Sequence, residues 1–166
     1  MLLKIFLSSF FLFPIIYCQS YLEKGISEYD QRHLGCVEDQ AKPEPISSAI
    51  GHFEKALDEK DDKNEASLYL LKSYYFKSKF VVKDKKVKKE LLKKGKDLGL
   101  GLVEKFPNSV EYRYWYLVNL GSWAEEYGVF AAAREGVADQ MRYHSKKIIE
   151  IDPYYENGAG YFLLGA

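Results

Sequence analysis

ISSAIGHFEKALDE, residues 46–59, sets Ile46, Ala49, Ile50, Phe53, Ala56 and Leu57 three and four residues apart. At 100° per residue these side chains form one apolar stripe, so the stretch reads as an amphipathic helix with a face to bury. Within the stripe, Ala49, Phe53 and Ala56 stand at steps of four and three, and the small residues on either side of the ring let a neighbouring helix come close. The spacing returns twice. Gly95, Gly99 and Leu102 repeat it with Pro107 five residues on, and Gln140, His144 and Ile148 approximate it with Pro153 five residues on. Three copies of one packing helix predict antiparallel hairpins stacked as an α-solenoid. A plain helical bundle is the alternative architecture.

Working outward, YLEKGISEYDQRH (21–33) places Leu22, Ile26 and Tyr29 at helical spacing, with Gly35 after it as a stop. LGCVEDQAKPEP (34–45), with Pro43 and Pro45 near its end, reads as a loop. A charged turn, Asp58 to Asn64, follows the second helix. The third helix runs from Glu65 with Leu68, Leu71, Tyr75 and Phe80, and the fourth from Lys83 to Lys105 with Val87, Leu91, Leu98 and Leu102 on one side. Phe106-Pro107-Asn108-Ser109 is a break whose serine caps a fifth helix, VEYRYWYLVNLGSWAEEYG, and Gly128 ends it. The sixth runs from Val129 to Ile151 and stops at Asp152-Pro153. Tyr154 to Ala166 begins as turn and finishes in GYFLLGA, the start of a further helix with no cap, so the chain is expected to be truncated there. No stretch alternates with period two, and the fold class is all-α.

Among the 166 residues, 24 Lys and Arg balance 24 Asp and Glu, so no net field draws nucleic acid or an anionic membrane. The 14 Tyr and 10 Phe are many, and the 3 His and 2 Cys few. His33, His52 and His144 form no metal-binding spacing, and the acidic segment Glu54 to Glu65 lacks the glycine and ligand order of a calcium loop. No nucleophile elbow, phosphate loop or dinucleotide fingerprint is present, and Cys36 has no base beside it in sequence. The composition points to a binding module, with no enzymatic activity, cofactor or metal expected.

The first twenty residues, MLLKIFLSSFFLFPIIYCQS, carry Lys4 and then an apolar run from Ile5 to Tyr17. This is an export-signal pattern; the run is short against the ~20 residues of a membrane span, and Pro14 interrupts it. Cleavage after Ser20 fits the small residues Cys18 and Ser20. Alternatively, Ile15-Ile16-Tyr17-Cys18 is similar to a lipobox, with Tyr17 larger than the usual residue, and Cys18 would then be lipidated. Either route leaves Cys36 without an intramolecular partner, so packing alone must hold the exported domain, residues 21–166. A periplasmic location is expected, with membrane contact only through a lipid at Cys18.

The stretch from Tyr112 to Ala166 resembles the tetratricopeptide-like T-component (TatT) family of tripartite ATP-independent periplasmic (TRAP) transporters. Tyr114-Trp115-Tyr116, Asn119-Leu120-Gly121 and Ile151-Asp152-Pro153 carry most of that likeness. SEYDQRH, ISSAIGHFEKALDE and SLYLLKSYYF are similar to the family's opening hairpins. The resemblance implies a tetratricopeptide-like stack that docks the extracytoplasmic solute-binding protein of a TRAP system and takes a small hydrophobic ligand. Self-association is left open.

On the fifth helix Tyr112, Trp115, Tyr116, Asn119 and Trp123 stand at steps of three and four, and the first helix of a hairpin lines the concave side of a solenoid. These five are the candidate ligand- or partner-binding residues, the rings for grip and Asn119 for orientation. The same spacing also suits rings packed as core, with Asn119 satisfying a buried backbone group. The run from Lys83 to Lys96 holds eight lysines against Asp84 and Glu90. It reads as the solvated face of a long helix, and as an acceptor of acidic partners under the rival reading, an envelope scaffold with no ligand role.

Overall fold

The computed structural model describes residues 19–59 and 63–165. Residues 1–18 of the expected export signal, with the expected lipidation position Cys18, fall outside the described residues, as do three residues of the charged turn. The described chain is all-helical: α1 (Tyr21–Asp30), α2 (Pro43–Ala56), α3 (Lys63–Phe80), α4 (Lys85–Lys105), α5 (Val110–Tyr127), α6 (Val129–Arg134), α7 (Val137–Ile151) and α8 (Ala159–Gly165). A single 3-10 turn, Tyr155–Asn157, precedes α8. Among the described residues the β pairing is one isolated bridge, Val37 with Gln40, in the loop after α1. None of these helices is long and apolar enough to cross a membrane.

Side-chain caps start the helices where the sequence places small oxygen-bearing residues. Ser20 and Glu23 form a reciprocal capping box on α1. Asp84 accepts the Val87 N–H at 2.9 Å to open α4, and Ser109 accepts that of Tyr112 at 3.3 Å to open α5. Gly128, at φ 93°, closes α5. Helices α3 and α4 start within two residues of the sequence expectation, at Lys63 and Lys85, and the larger departures are three. Helix α1 ends at Asp30, three residues early. Helix α2 starts at Pro43, because a proline in the first turn gives up an N–H that has no partner there. The expected sixth helix is two, α6 and α7, divided at Gly136, whose left-handed φ of 63° interrupts the ladder.

Each helix packs on its neighbour in sequence, with α7 taking the place after α5, and α1 also meets α3, α3 meets α5, and α5 meets α8. The stripe read from residues 46–59 is inside: Ile46, Ala49, Phe53 and Ala56 are fully buried against Leu22 and Tyr29 of α1 and Leu70 and Tyr74 of α3. A second core joins Leu71 of α3, Leu92, Leu102 and Val103 of α4, Tyr116, Leu117 and Leu120 of α5, and Ile148 of α7. Helix α3 therefore feeds both cores, and Leu98 of α4 touches both.

The seam between α4 and α5 is the tightest. Gly95 lies under the Asn119 amide and Gly99 under the backbone of Tyr116, so close that a Cβ at Gly95 would overlap Asn119 Oδ1 and one at Gly99 would stand 3.0 Å from Tyr116 Cα. Both glycines are buried, and their lack of side chain lets two helix backbones approach.

Candidate functional site

Helix α5 packs against α3, α4, α7 and α8, and its neighbours split the five residues expected on its binding face. Tyr112, Tyr116, Asn119 and Trp123 follow each other at steps of four, three and four, and all four are buried. The Tyr112 hydroxyl donates to the Asn64 carbonyl at 2.9 Å, and the Tyr116 hydroxyl donates to Gln140 Oε1 of α7. Asn119 donates from Nδ2 to the carbonyls of Leu71 (3.2 Å) and Trp115 (2.9 Å), tying α5 to α3. Trp123 stacks on Tyr127 at 4.5 Å, with the Lys96 ammonium 4.4 Å from its ring centroid. These four hold the helix stack together; burial of each ring contributes roughly 2–3 kcal/mol.

Trp115 stands apart because it is one residue, about 100° of helix, away from Tyr116. It is half-buried and faces the seam toward α3 and α8, edge-on to Tyr114 at 5.4 Å and tilted against Tyr75 at 6.1 Å. A cavity of about 480 Å³ opens there. Its walls are Tyr75 of α3, Tyr114, Trp115 and Val118 of α5, the Glu156–Asn157–Gly158 segment, and Phe162 of α8. Of the five residues expected at a binding site, Trp115 is the one that reaches this cavity.

The segment at the cavity wall is strained. Glu156 (φ 45°, ψ 50°) and Asn157 (φ 58°) are both left-handed, ahead of Gly158 at φ 84°. For a residue with a Cβ, that conformation costs about 1 kcal/mol or more and persists only where the surroundings impose it. The surroundings here are Tyr155, edge-on to Tyr114 at 5.5 Å, and the buried start of α8, where Gly160 fits against Ile148 and Ile149. Glu156→Gly is expected to raise stability by about 1 kcal/mol in urea titration, through relief of that strain. It would also strip the carboxylate from the cavity wall. The pairing of gain and loss is what a site held for function rather than stability would show.

Burial pushes the Tyr114 hydroxyl above the ordinary phenol range, and the neighbouring Glu156 carboxylate pushes it further. Tyr155 is raised in the same way, by burial and then by Glu111 and Glu156. Both phenols therefore remain neutral, and Tyr114 is the one of the two that lines the cavity. Beneath the other side of α5, Arg113 is buried and donates from Nη1 to His144 Nδ1 (2.5 Å) and from Nη2 to the Pro107 carbonyl. Burial, with the Arg113 guanidinium behind it, lowers the His144 imidazole to about 4, so it is the neutral acceptor of that charge.

Of the lysines of α4, Lys85, Lys86, Lys93 and Lys94 are exposed, Lys89 lies 4.7 Å from the Tyr127 ring centroid, and Lys96 is largely covered, over Trp123. Cys36 is an exposed free thiol. Among the described residues no three His, Cys, Asp or Glu side chains converge as metal ligands would. Tyr75 is readable in the sequence only as an apolar position of the third helix, and Glu156 and Phe162 carry no binding signal there. Asn157-Gly158 does signal a left-handed turn, which is where the cavity wall lies. No family model and no curated protein matches this chain.

Proposed function

We propose that this chain is a tetratricopeptide-like interaction protein of the periplasm, the T-component of a TRAP-type transport system, which docks the extracytoplasmic solute-binding protein and takes a small, largely apolar ligand. The observation that carries the ligand part is the aromatic cavity between α3, α5 and α8, with its wall held in a strained conformation. The hairpin-stack part is supported by the order of packing, in which α1, α3 and α5 lie alongside one another and α2 and α4 pack between them in sequence. The close fit of the Phe53 ring on Gly25 of α1, and of Gly95 and Gly99 on α5, supports the same reading, since stacked hairpins need small residues where helices cross. The transport part rests on the resemblance of residues 112–166.

Trp115→Ala tests the reading, because its ring borders the cavity and is only partly buried against the second core. Co-precipitation with the cognate solute-binding protein and ligand titration are expected to lose at least about tenfold in affinity, with circular dichroism unchanged. Retained binding of both would overturn the site. Tyr116 is unsuited to this test, since its removal would open the α5–α7 core. The rival, an envelope scaffold that binds by charge, is favoured by the exposed lysine face of α4. It predicts partner binding that falls with salt and ignores Trp115.

A further inference from the structure

We propose that the cavity at Trp115 receives the methylated ammonium head of a small organic cation, held against the faces of Tyr75, Tyr114, Trp115 and Phe162 and by the carboxylate of Glu156. This rests on the reading of the cavity as a ligand site and names the chemistry of the ligand.

Four aromatic side chains from three helices border the space, and Glu156 is the only ionised residue in its lining. An aromatic face carries a negative quadrupole, so several rings around one space favour a cation over a neutral body of the same shape. The surrounding charges point the same way: the Glu156 and Glu111 carboxylates act on the two phenols at this end of the molecule, Tyr114 and Tyr155. Lys72 stands outside the lining, 5.8 Å from the Trp115 centroid and 5.1 Å from that of Tyr69. As a like charge it works against a bound cation, and the Glu156 carboxylate has to outweigh it.

The degree of substitution follows from hydrogen-bond supply. A primary ammonium has three N–H donors to satisfy; the side-chain acceptors in this lining are the Glu156 carboxylate, the Asn157 amide oxygen and the Tyr75 and Tyr114 phenol oxygens, set among ring surfaces and a single negative charge. A fully methylated ammonium has no N–H; ring faces and one counter-charge satisfy it. The strained backbone has its place in this account, since the left-handed Glu156 is the residue that brings the counter-charge to the wall.

The test titrates the full exported chain with choline, with its uncharged isostere 3,3-dimethyl-1-butanol, and with the neutral fluorescent probe N-phenyl-1-naphthylamine. Indole emission and calorimetry report binding, and Trp123 is sealed in the core, which leaves Trp115 as the responding indole. The expected result is choline binding at least about tenfold tighter than the isostere, weakened about fivefold or more by Glu156→Gln and abolished by Trp115→Leu. Equal binding of choline and isostere, or binding of the neutral probe without choline, overturns the cation assignment and leaves the ligand cavity standing. If none of the three binds, both the assignment and the ligand site fall.

Discussion

Gly95→Ala is expected to lower the melting temperature by about 10 °C, and Gly99→Ala by less, because both add a methyl group at the α4–α5 seam but the overlap is far deeper at Gly95. At Gly95 the new Cβ would overlap Asn119 Oδ1. The amide cannot turn away freely, since its Nδ2 is committed to the Leu71 and Trp115 carbonyls and the side chain is wholly buried. Moving it breaks the tie between α5 and α3; leaving it forces the helices apart. At Gly99 the obstacle is the backbone of Tyr116, 3.0 Å away at Cα, which only a shift of the whole helix relieves. At Gly95 overpacking and a broken buried hydrogen bond together come to about 3 kcal/mol, the basis of the shift of about 10 °C, whereas at Gly99 overpacking acts alone.

Gly101 supplies the internal control. It lies in the same helix, is exposed, and a Cβ added there would meet no atom within 4 Å. Gly101→Ala should therefore stabilise by up to about 1 kcal/mol, through helix propensity alone. Differential scanning calorimetry of the three variants checks the claim; equal behaviour of all three would show that α4 and α5 are not in close contact.

The second large effect is on pH. The His144 imidazole is held at about 4 in the fold, against an ordinary value of 6.5 in the unfolded chain. Between those values the unfolded state carries a proton that the folded state refuses, so this group's contribution is fully present above pH 6.5 and is lost as pH falls toward 4. Over that window the loss amounts to about 2 kcal/mol, once solvent screening of a ring near the surface is allowed for. His33 is lowered too, by burial and by Arg32, and adds in the same direction. His144→Gln keeps an acceptor for Arg113 and removes the titration. Urea unfolding from pH 7 to pH 4.5 should show a steep decline for the natural chain and a shallower one for the variant. Parallel slopes would mean that His144 is protonated as easily in the fold as in water.

Much of the scaffold was legible. The stripe from Ile46 to Ala56 is buried as read, and the Gly95–Gly99–Leu102 spacing falls at the α4–α5 seam. Periodicity is a local property, and a helix that must bury a stripe shows it in its own residues. The candidate site was less legible. Tyr112, Tyr116, Asn119 and Trp123 share a face as expected, but that face looks into the stack, while Trp115, one residue away, looks out at the cavity. A helix with packing partners on two sides carries rings on both, and spacing alone does not say which side is covered. Arg113 has no mark in the local pattern for a related reason: the buried neutral His144 that accepts it is 31 residues away.

What the residues decided by themselves is the helical class, the breaks at Pro107, Gly128 and Pro153, and the small-residue crossings, since each depends on contacts within a few positions of chain. What tertiary structure alone decided is which of the five expected residues of α5 borders the cavity. That outcome depends on where α3, α8 and the left-handed turn at Glu156 come to rest, through packing between residues dozens of positions apart, and no local pattern encodes it.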